Sequence, residues 1–384
     1  MTVEYDLAVV GAGIVGLGVA LAASRQGKKV VVIERNAKAI GASIRNFGFI
    51  TVSGQKAGDH WARAMRSRDI WAEVVEEAGI AVHHRGALLP ARRDEAAEVL
   101  EAFLKGPMAA GCRMVSKKEA AEIVPALRLS DVRSVLYSPH ELRVESMDAL
   151  PKLALWLAAK HGVEFRWNTA VRAIEGPRIE TSRGIVHADA TIVCPGDDFS
   201  ALYPERITPH ALSVCTLQML RVAPATPAPF GAAVMSDMSL ARYEGFAALP
   251  EAEALAKRLD VEEAESRAAG IHLIAVQSGD GSLVVGDSHV YGDAQAPFAE
   301  VRLDDLILAE FDRVFDLPGR QVVNRWIGTY ASSKEHTVLV DRPAENVRIV
   351  MVTGGTGAST GFALGEQVIG DLFGSHSVYQ EITQ

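Results

Sequence analysis

A short glycine-rich segment near the amino terminus constrains the fold of this 384-residue chain more than any other feature. The segment Gly11-Ala12-Gly13-Ile14-Val15-Gly16 follows an apolar run at residues 6–10, which is typical of a strand buried on both faces. Helical spacing extends over residues 14–24, and a second apolar run covers residues 29–34. A strand, a helix and a second strand within about thirty residues predict a βαβ unit with a right-handed crossover.

The G-x-G-x-x-G spacing between a strand and a helix predicts a dinucleotide-binding loop. Gly11 would permit the tight turn, Gly13 would let a pyrophosphate approach the backbone, and Gly16 would let the helix pack closely on the strand. The N–H groups at the helix start would bind the pyrophosphate. Glu34 ends the second strand, where a carboxylate can bind an adenosine ribose and disfavours a 2′-phosphate. The loop by itself leaves both FAD and NAD open.

Composition excludes several classes of function. Hydrophobic residues make up 48% of the chain, which indicates a folded globular protein. The net charge of −9 argues against nucleic-acid binding. Three cysteines argue against a disulfide framework or a cysteine metal cluster, so we expect no metal and a reducing compartment. The amino terminus lacks a signal-peptide pattern, and the apolar stretch at residues 7–23 is too short and glycine-rich for a membrane span. We therefore expect a cytoplasmic protein without membrane partners.

Periodicity elsewhere predicts both helices and strands. Helices are predicted at residues 57–79, 91–110, 116–124, 148–160, 250–269, 303–315 and 362–373, and strands at residues 191–193, 213–222, 271–277, 282–286 and 347–352. Asp280-Gly281 predicts a hairpin turn between two of these strands.

Four stretches of the chain resemble FAD-dependent oxidoreductases of the D-amino-acid-oxidase type, which include glycine and sarcosine oxidases. They are the glycine-rich loop with Glu34-Arg35, the segment at residues 41–48, the segments at residues 169–171 and 191–196, and the glycine-rich turn at residues 353–361. In the family, the second stretch runs beneath the flavin ring, and a valine backbone in the third holds the adenine. The resemblance implies non-covalent FAD bound by Gly11, Gly13, Ile14, Val15, Gly16, Glu34, Arg35, Ser43, Arg45, Asn46, Phe47, Gly48, Val171, Gly196, Gly354, Gly355, Thr356, Gly357 and Thr360.

The predicted fold class is α/β, with a Rossmann-like FAD-binding domain and an inserted, mainly antiparallel β-sheet substrate domain. We assign residues 1–85, 145–212 and 325–384 to the FAD-binding domain, and residues 86–144 and 213–324 to the substrate domain. Reduced flavin accumulates negative charge at one edge, and N–H groups at residues 354–357 with the positive end of the last helix would stabilise it.

The substrate side departs from the family pattern at Tyr330, which stands where members that oxidise amino acids commonly carry a carboxylate-binding arginine. A plain α-amino acid substrate is therefore disfavoured. Lys334 or Arg45 could instead hold an anion, and His272 or Tyr330 could orient the substrate nitrogen. These residues, together with Gln55, His289, Ser332 and Ser333, are the predicted substrate and catalytic residues. The stretch Gly286-Asp287-Ser288-His289 follows a predicted strand and is a further pocket candidate.

A narrower resemblance covers Arg45-Asn46-Phe47-Gly48, Gln55 and Arg66-Ser67-Arg68, which are similar to a branch of these oxidases associated with aminophosphonate breakdown. It implies oxidation of the C–N bond of 2-aminoethylphosphonate or its N-methyl derivative. In such a reaction hydride passes to the flavin, water hydrolyses the imine, and O2 reoxidises the flavin to give H2O2. The alternatives are an oxidase of another amine such as glycine or sarcosine, a flavin dehydrogenase that uses a quinone or carrier, and a non-enzymatic FAD-binding protein.

Overall fold

A computed structural model describes residues 4–374 of the chain. Within this range the strands are numbered in chain order: β1 (Tyr5–Val10), β2 (Val30–Ile33), β3 (Phe49–Ile50), β4 (Val82–Ala91), β5 (Arg113–Val115), β6 (Ser134–Val144), β7 (Glu164–Arg166), β8 (Val171–Glu175), β9 (Arg178–Thr181), β10 (Gly184–Val193), β11 (Ser213–Ala223), β12 (Ala233–Met235), β13 (Ile274–Gln277), β14 (Leu283–Gly286), β15 (Val290–Gly292), β16 (Gln321–Ser332), β17 (Val338–Ala344) and β18 (Val347–Val352).

The α-helices of the same range are α1 (Ile14–Arg25), α2 (Asp59–Glu77), α3 (Asp94–Leu104), α4 (Lys117–Ile123), α5 (Ser146–His161), α6 (Pro204–Ile207), α7 (Glu244–Ala247), α8 (Ala252–Glu262), α9 (Ala264–Ala268), α10 (Val301–Val314) and α11 (Gly357–Phe373). Short 3-10 helices cover Ala42–Ile44, Pro107–Ala109, Thr208–His210 and Asp237–Ala241. None of the described helices is long and apolar enough to cross a membrane.

The first sheet has the strand order β17-β18-β10-β1-β2-β7, and β9 extends it from β10. The five strands from β18 to β7 run parallel to one another, while β17 is antiparallel. The predicted βαβ unit is confirmed, since β1 pairs with β2 in parallel and α1 connects them. Parallel strands are covered on both faces, which explains why β1 and β2 read as continuous apolar runs.

Helices α1 and α11 cross in backbone contact on one face of this sheet. A Cβ added to Gly18 would lie 2.6 Å from the carbonyl oxygen of Gly361, and one added to Gly365 would lie 2.5 Å from the carbonyl carbon of Gly18. Only glycine therefore permits this approach. The helices begin at Ile14 and Gly357. Their crossing therefore brings together the two glycine-rich loops that precede them, although these loops come from opposite ends of the chain.

The second sheet has the strand order β15-β11-β14-β13-β12-β4-β6-β3, with β16 paired to β11 and β5 paired to β6. It is antiparallel apart from the β4–β12 pair, as the sequence predicts for the inserted sheet. The turn at Asp280-Gly281 joins β13 to β14 as predicted. Strand β16 belongs wholly to this sheet, so the expected domain boundary at residue 325 falls inside a strand.

Several predicted elements differ in extent from those observed. The expected helix at residues 91–110 is wrong at its start, because β4 continues to Ala91 and α3 begins at Asp94. The helix expected at residues 250–269 is divided into α8 and α9. The last helix begins at Gly357, five residues before the predicted start at Phe362. Its first two turns contain Gly357 and Gly361, and packing against α1 stabilises helical backbone that the propensity of glycine disfavours.

Candidate active site

A cavity of about 550 Å³ lies between the two sheets and is lined by residues of both. Its size is in the range of small-molecule and cofactor sites. The predicted site residues that line it are Gly11, Gly13, Ile14, Val15, Gly16, Glu34, Arg35, Ser43, Arg45, Asn46, Phe47, Val171, Gly196, His272, His289, Tyr330, Gly354, Gly355 and Gly357. Residues from nine separate segments of the chain thus share one continuous space.

The first glycine-rich loop is held in place by hydrogen bonds from side chains. The backbone N–H of Ile14, at the start of α1, donates to Ser43 Oγ at 2.9 Å. Glu34 Oε2 accepts from the N–H of Ala12 at 3.0 Å, and its Oε1 accepts from the backbone N–H of Asn36 at 2.9 Å. The Glu34 carboxylate therefore both fixes the loop and faces the cavity.

Glycine is required at two positions of this loop for steric reasons. Gly11 has a φ of +105°, and a Cβ there would lie 2.5 Å from the carbonyl oxygen of Cys194. A Cβ on Gly16 would lie 2.0 Å from the carbonyl oxygen of Gly11. The tight turn requires glycine at position 11, and the close packing of the helix on the loop requires glycine at position 16.

The second glycine-rich loop lies beside the first and faces the second sheet. A Cβ on Gly355 would lie 3.4 Å from the ring of Tyr330, which belongs to β16. Thr356 and Thr360 do not line the cavity, contrary to expectation. Thr360 is fully buried, and its Oγ1 donates to the carbonyl oxygen of Thr356 at 2.9 Å. This hydrogen bond stabilises the first turns of α11.

Some residues of the segment 43–48 line the cavity, and others form hydrogen bonds or packing contacts within the fold. The side chain of Asn46 forms hydrogen bonds within the protein, since its Oδ1 accepts from the N–H of Gly48 at 2.6 Å and from Ser146 Oγ at 2.8 Å. Gly48 lies outside the cavity lining, and a Cβ there would collide with the carbonyl oxygen of Val144 at 1.8 Å. Its predicted cofactor contact is therefore replaced by a packing role. Arg45 remains in the lining, and its carbonyl oxygen accepts from Trp326 Nε1 at 2.9 Å.

A buried polar cluster lies in the part of the cavity formed by the second sheet. His272, Asp287 and His289 are 3%, 5% and 8% exposed, and all three line the cavity. His272 Nε2 lies 3.5 Å from Asp287 Oδ1, and His289 Nε2 lies 3.7 Å from Asp287 Oδ2. The nitrogen and oxygen atoms of the three side chains that face one another lie within 4.8 Å. The two histidines are predicted separately from the sequence, and the fold brings them together around a carboxylate.

Burial controls the protonation of this cluster. It lowers the pKa of His272 and of His289 well below the ordinary value, and the charge of Arg242 acts in the same direction. Burial raises the pKa of Asp287 to about 7, although Arg242 opposes that shift. At neutral pH both imidazoles are uncharged and the carboxyl group is partly protonated.

Aromatic side chains and one arginine surround the cluster. Tyr243 packs edge-on against His272 with ring centroids 5.3 Å apart, and Tyr330 does the same against His289 at 6.4 Å. Arg242 donates to Tyr291 Oη at 2.9 Å. An arginine from another segment of the chain thus lies close to this end of the cavity.

Four of the predicted substrate residues are not brought to the cavity: Gln55, Ser332, Ser333 and Lys334. The chain turns away after β16, so Lys334 is exposed. Ser333 Oγ accepts from the backbone N–H groups of Glu335 and His336, which closes that turn. Gln55 is buried and donates to the carbonyl oxygen of Thr51 at 3.2 Å. The structure therefore does not bring the predicted anion site around Lys334 to this cavity.

Two residues at or beside the cavity, Arg242 and Tyr243, are not indicated by the sequence. Tyr243 is in the lining and Arg242 lies next to it, just beyond a short 3-10 helix with no recognisable motif. Asp287 lies in a stretch that the sequence indicates, but no local signal separates it from its neighbours. An acid at the end of a buried strand, two residues before a histidine, is the one pattern that could have indicated it.

Comparison with known proteins then establishes the family. The sequence profile of the family described as "FAD dependent oxidoreductase" matches residues 6–370, which is nearly the whole chain. The chain belongs to this family. This FAD-dependent oxidoreductase is 25% identical over 211 residues to the glycine oxidase of Geobacillus kaustophilus (strain HTA426). That match covers 51% of the chain and only 55% of the relative's length.

Solved structures share the fold of this oxidoreductase at low sequence identity. L-proline dehydrogenase from P. horikoshii matches with a TM-score of 0.79 and 18% identity, over 98% of this chain and 96% of that one. Glycine oxidase from Geobacillus kaustophilus matches with a TM-score of 0.76 and 18% identity, over the same shares of the two chains. Iminodiacetate oxidase from Chelativorans sp. BNC1 matches with a TM-score of 0.72 and 18% identity, over 97% and 96%.

The cavity of this oxidoreductase fits FAD. No atom lies within 4 Å of the Cβ position of Gly41 or Gly354, two glycines of the lining, so the backbone there faces free space. The starts of α1 and α11 border the cavity, and helix amino termini bind anionic groups through backbone N–H groups. Val171 and Glu34 line the same region, as an adenosine end requires. The family and the lining therefore agree on the cofactor.

Proposed function

We propose that this oxidoreductase oxidises the C–N bond of a small anionic amine, with 2-aminoethylphosphonate or its N-methyl derivative as the favoured substrate. The observation that carries the proposal is the continuity of the cavity from the glycine-rich loops to the buried cluster of His272, Asp287 and His289. This cluster presents nitrogen and oxygen acceptors in a buried space beside the proposed flavin site, where an amine can be bound and oxidised.

The bound FAD would supply the hydride acceptor for the reaction. Glu34, Val171 and the first glycine-rich loop would hold its adenosine and pyrophosphate parts, while Arg45, Phe47 and the second loop would border its ring. Backbone N–H groups at the start of α11 would stabilise negative charge at the ring edge. These assignments follow from the residues that share the lining.

The walls of the cavity would favour the reactive form of the substrate. Leu217, Met219, Ile274 and Phe47 provide apolar surface around the buried cluster. Such surroundings disfavour an ammonium group relative to the neutral amine, whose lone pair assists the loss of hydride from the adjacent carbon. Apolar walls would also exclude bulk water from the reacting carbon during hydride transfer.

Arg45 would bind the anionic group of the substrate. It is the predicted anion-binding residue that remains in the lining, whereas Lys334 is exposed outside it. Tyr330 stands where related amino-acid oxidases carry an arginine, which favours a tetrahedral phosphonate over a planar carboxylate held by one bidentate pair. The narrower sequence resemblance to the aminophosphonate-associated branch supports the same substrate class.

The experiment is an anaerobic panel in which candidate amines are mixed with the FAD-loaded protein and bleaching of the visible flavin absorption is recorded. The panel contains 2-aminoethylphosphonate, its N-methyl derivative, glycine and sarcosine, with ethylphosphonate as the control that lacks an amine. We expect the two aminophosphonates to bleach the flavin fastest and ethylphosphonate to leave it unchanged. Bleaching by plain α-amino acids alone would contradict the inference from Tyr330, and bleaching by none would favour a non-enzymatic FAD-binding protein.

Aerobic turnover separates an oxidase from a dehydrogenase. Solved proteins with this fold include both a glycine oxidase and an L-proline dehydrogenase, so the fold is compatible with either electron acceptor. We expect one H2O2 for each amine oxidised when O2 is the only acceptor. Negligible peroxide, together with rapid turnover on an added quinone, would assign the dehydrogenase reaction instead.

A further inference from the structure

The β13–β14 hairpin places three acceptor groups at one point of the cavity wall. Ile274 of β13 pairs with Gly286 of β14, so His272 and Asp287 lie side by side just beyond the ends of the two strands. His289 is held beside them because its backbone N–H donates to the carbonyl oxygen of Ala269 at 2.9 Å. The two imidazole rings are stacked, with centroids 5.2 Å apart.

Hydrogen bonds assign the tautomers of both histidines. His289 Nδ1 lies 2.9 Å from the carbonyl oxygen of Gly270, which can only accept, so Nδ1 carries the ring proton. His272 Nδ1 lies 3.3 Å from Ser239 Oγ, and that hydroxyl has the carbonyl oxygen of Leu273 at 3.4 Å as its own acceptor. Nδ1 of His272 therefore donates to Ser239. Each neutral ring is left with a lone pair on Nε2.

Both Nε2 atoms lie near the carboxyl group of Asp287. His272 Nε2 and His289 Nε2 lie 3.5 Å and 3.7 Å from Asp287 oxygens, distances longer than a hydrogen bond. Asp287 Oδ1 is buried and has no hydrogen-bond partner. Three groups with acceptor atoms therefore face one another, an arrangement that is relieved by a proton on Asp287 or by a donor or cation that lies among them.

We propose that His272, Asp287 and His289 form the subsite for the amino group of the substrate, and that Asp287 accepts its proton. This inference rests on the proposed function and extends it to particular residues. An ammonium group has three N–H donors, and the cluster offers two imidazole nitrogens and a carboxylate as acceptors. The proton moves from the nitrogen of R–NH3+ to Asp287, leaving the neutral amine R–NH2 and an uncharged carboxylic acid. The neutral amine then keeps its hydrogen bonds to the two Nε2 atoms.

Burial prepares Asp287 for this transfer. It raises the pKa of this carboxyl group to about 7, so that the group can take up and release a proton near neutral pH. The other titratable or charged groups that interact with or face Asp287 are Arg242, Tyr243, Cys215, Tyr330, His272 and His289. Among them Arg242 carries a permanent charge, which lowers the pKa of Asp287 and so limits its rise.

The experiment measures the binding of unreactive cations to the FAD-loaded protein through the change in the visible flavin spectrum. Tert-butylammonium is the probe, because it has no hydrogen on the carbon next to nitrogen and cannot be oxidised by hydride loss. Ammonium ion serves as a smaller probe, and tetramethylammonium carries the same charge without N–H donors. Titrations at pH 6 and pH 8 are compared for the unchanged protein, Asp287→Asn and Asp280→Asn. Asp280 lies in the turn of the same hairpin, is exposed and does not line the cavity.

We expect both N–H cations to bind the unchanged protein, about ten-fold more tightly at pH 8 than at pH 6, with tetramethylammonium bound much less. Asp287→Asn is expected to weaken binding about 10- to 100-fold and to remove its pH dependence, while Asp280→Asn changes neither. Equal binding by the unchanged protein and Asp287→Asn, or no binding of either N–H cation, would overturn the proposal. So would a stoichiometric first-row metal ion that Asp287→Asn loses, since the cluster would then be a metal site. If the cations bind through Asp287 but no amine bleaches the flavin, the proposed function fails while the subsite stands.

Discussion

Gly18 of α1 faces Gly361 of α11 so closely that a Cβ on Gly18 would lie 2.6 Å from the carbonyl oxygen of Gly361. Because both helices begin at the cavity, this contact sets the separation of the two glycine-rich loops. The cofactor site is therefore built by a helix crossing as well as by the loops themselves.

The substitution Gly18→Ala should move the two helices apart. Overpacking of this kind costs about 1–3 kcal/mol of folding stability, and displacement of the loops should weaken FAD binding as well. Thermal unfolding and FAD titration of the apoprotein would measure the two effects. Gly292→Ala is the control, since its Cβ would have no neighbour closer than 3.6 Å. Unchanged FAD affinity in Gly18→Ala would show that the crossing does not set the loop separation.

Substitution of Arg45 should separate the recognition of charge from the chemistry. Arg45→Met is expected to raise the KM for an aminophosphonate about 10- to 100-fold, because a charge-assisted contact is lost, with a smaller effect on a neutral amine. Lys334→Met is the matched control, since Lys334 is exposed outside the cavity and should leave the KM unchanged. Steady-state kinetics on both substrates would test this. A larger effect from Lys334→Met would restore the anion site that the sequence alone suggests.

Glu34→Gln should weaken the binding of FAD. The carboxylate accepts from the N–H groups of Ala12 and Asn36 while it lines the cavity, and an amide has one oxygen fewer for these bonds and for a ribose hydroxyl. We expect the Kd for FAD to rise about ten-fold or more. Fluorescence titration of the apoprotein gives this value, and Glu73→Gln, an exposed residue paired with Arg25, is the control. An unchanged Kd would exclude Glu34 from the site.

The buried His84 should make the fold sensitive to acid. Burial lowers the pKa of His84 to about 3, and Arg143 acts in the same direction. In the unfolded chain His84 takes up a proton below about pH 6.5, whereas in the folded chain it stays neutral. Its contribution to the free energy of unfolding is therefore fully present above that pH and declines as the pH falls. This group should reduce the free energy of unfolding by about 2 kcal/mol between pH 6.5 and pH 5.

Chemical denaturation at several pH values would test this dependence. His84→Gln is the informative variant, because glutamine can still accept the hydrogen bond that His84 Nε2 receives from the N–H of Gln277 at 3.2 Å. We expect its stability to vary less between pH 6.5 and pH 5 than that of the unchanged protein. His336→Gln, at an exposed position, should keep the original dependence. Identical slopes in all three proteins would contradict the effect assigned to His84.

Strand β6, which the sequence leaves unpredicted, contains charged residues that are buried. Strand β6 contains Glu141 and Arg143, both fully buried, which hides its apolar pattern. Glu141 accepts from the N–H of Ser53 at 2.9 Å, and Arg143 donates to Ser278 Oγ at 3.2 Å. Both of these partners are distant in sequence, so the local pattern does not indicate that the two charges lie inside.

The cofactor half of the site could be predicted from the sequence because its signals are local. The turn at Gly11, the packing at Gly16 and the carboxylate of Glu34 each follow from backbone geometry within one βαβ unit, which the order of residues specifies directly. The family resemblance extended that prediction to the second glycine-rich loop, which the fold then placed against α1.

The substrate half was decided by the tertiary structure. Whether Lys334 or Arg45 reaches the cavity depends on where β16 ends and how the chain turns afterwards. Asp287 meets His272 only because β13 and β14 pair in one register, and a shift of that pairing would separate them. Backbone conformation is governed by neighbouring residues, whereas the meeting of side chains depends on long-range packing. The sequence alone therefore determined what kind of cofactor the protein binds, and the fold determined which side chains line the rest of the cavity.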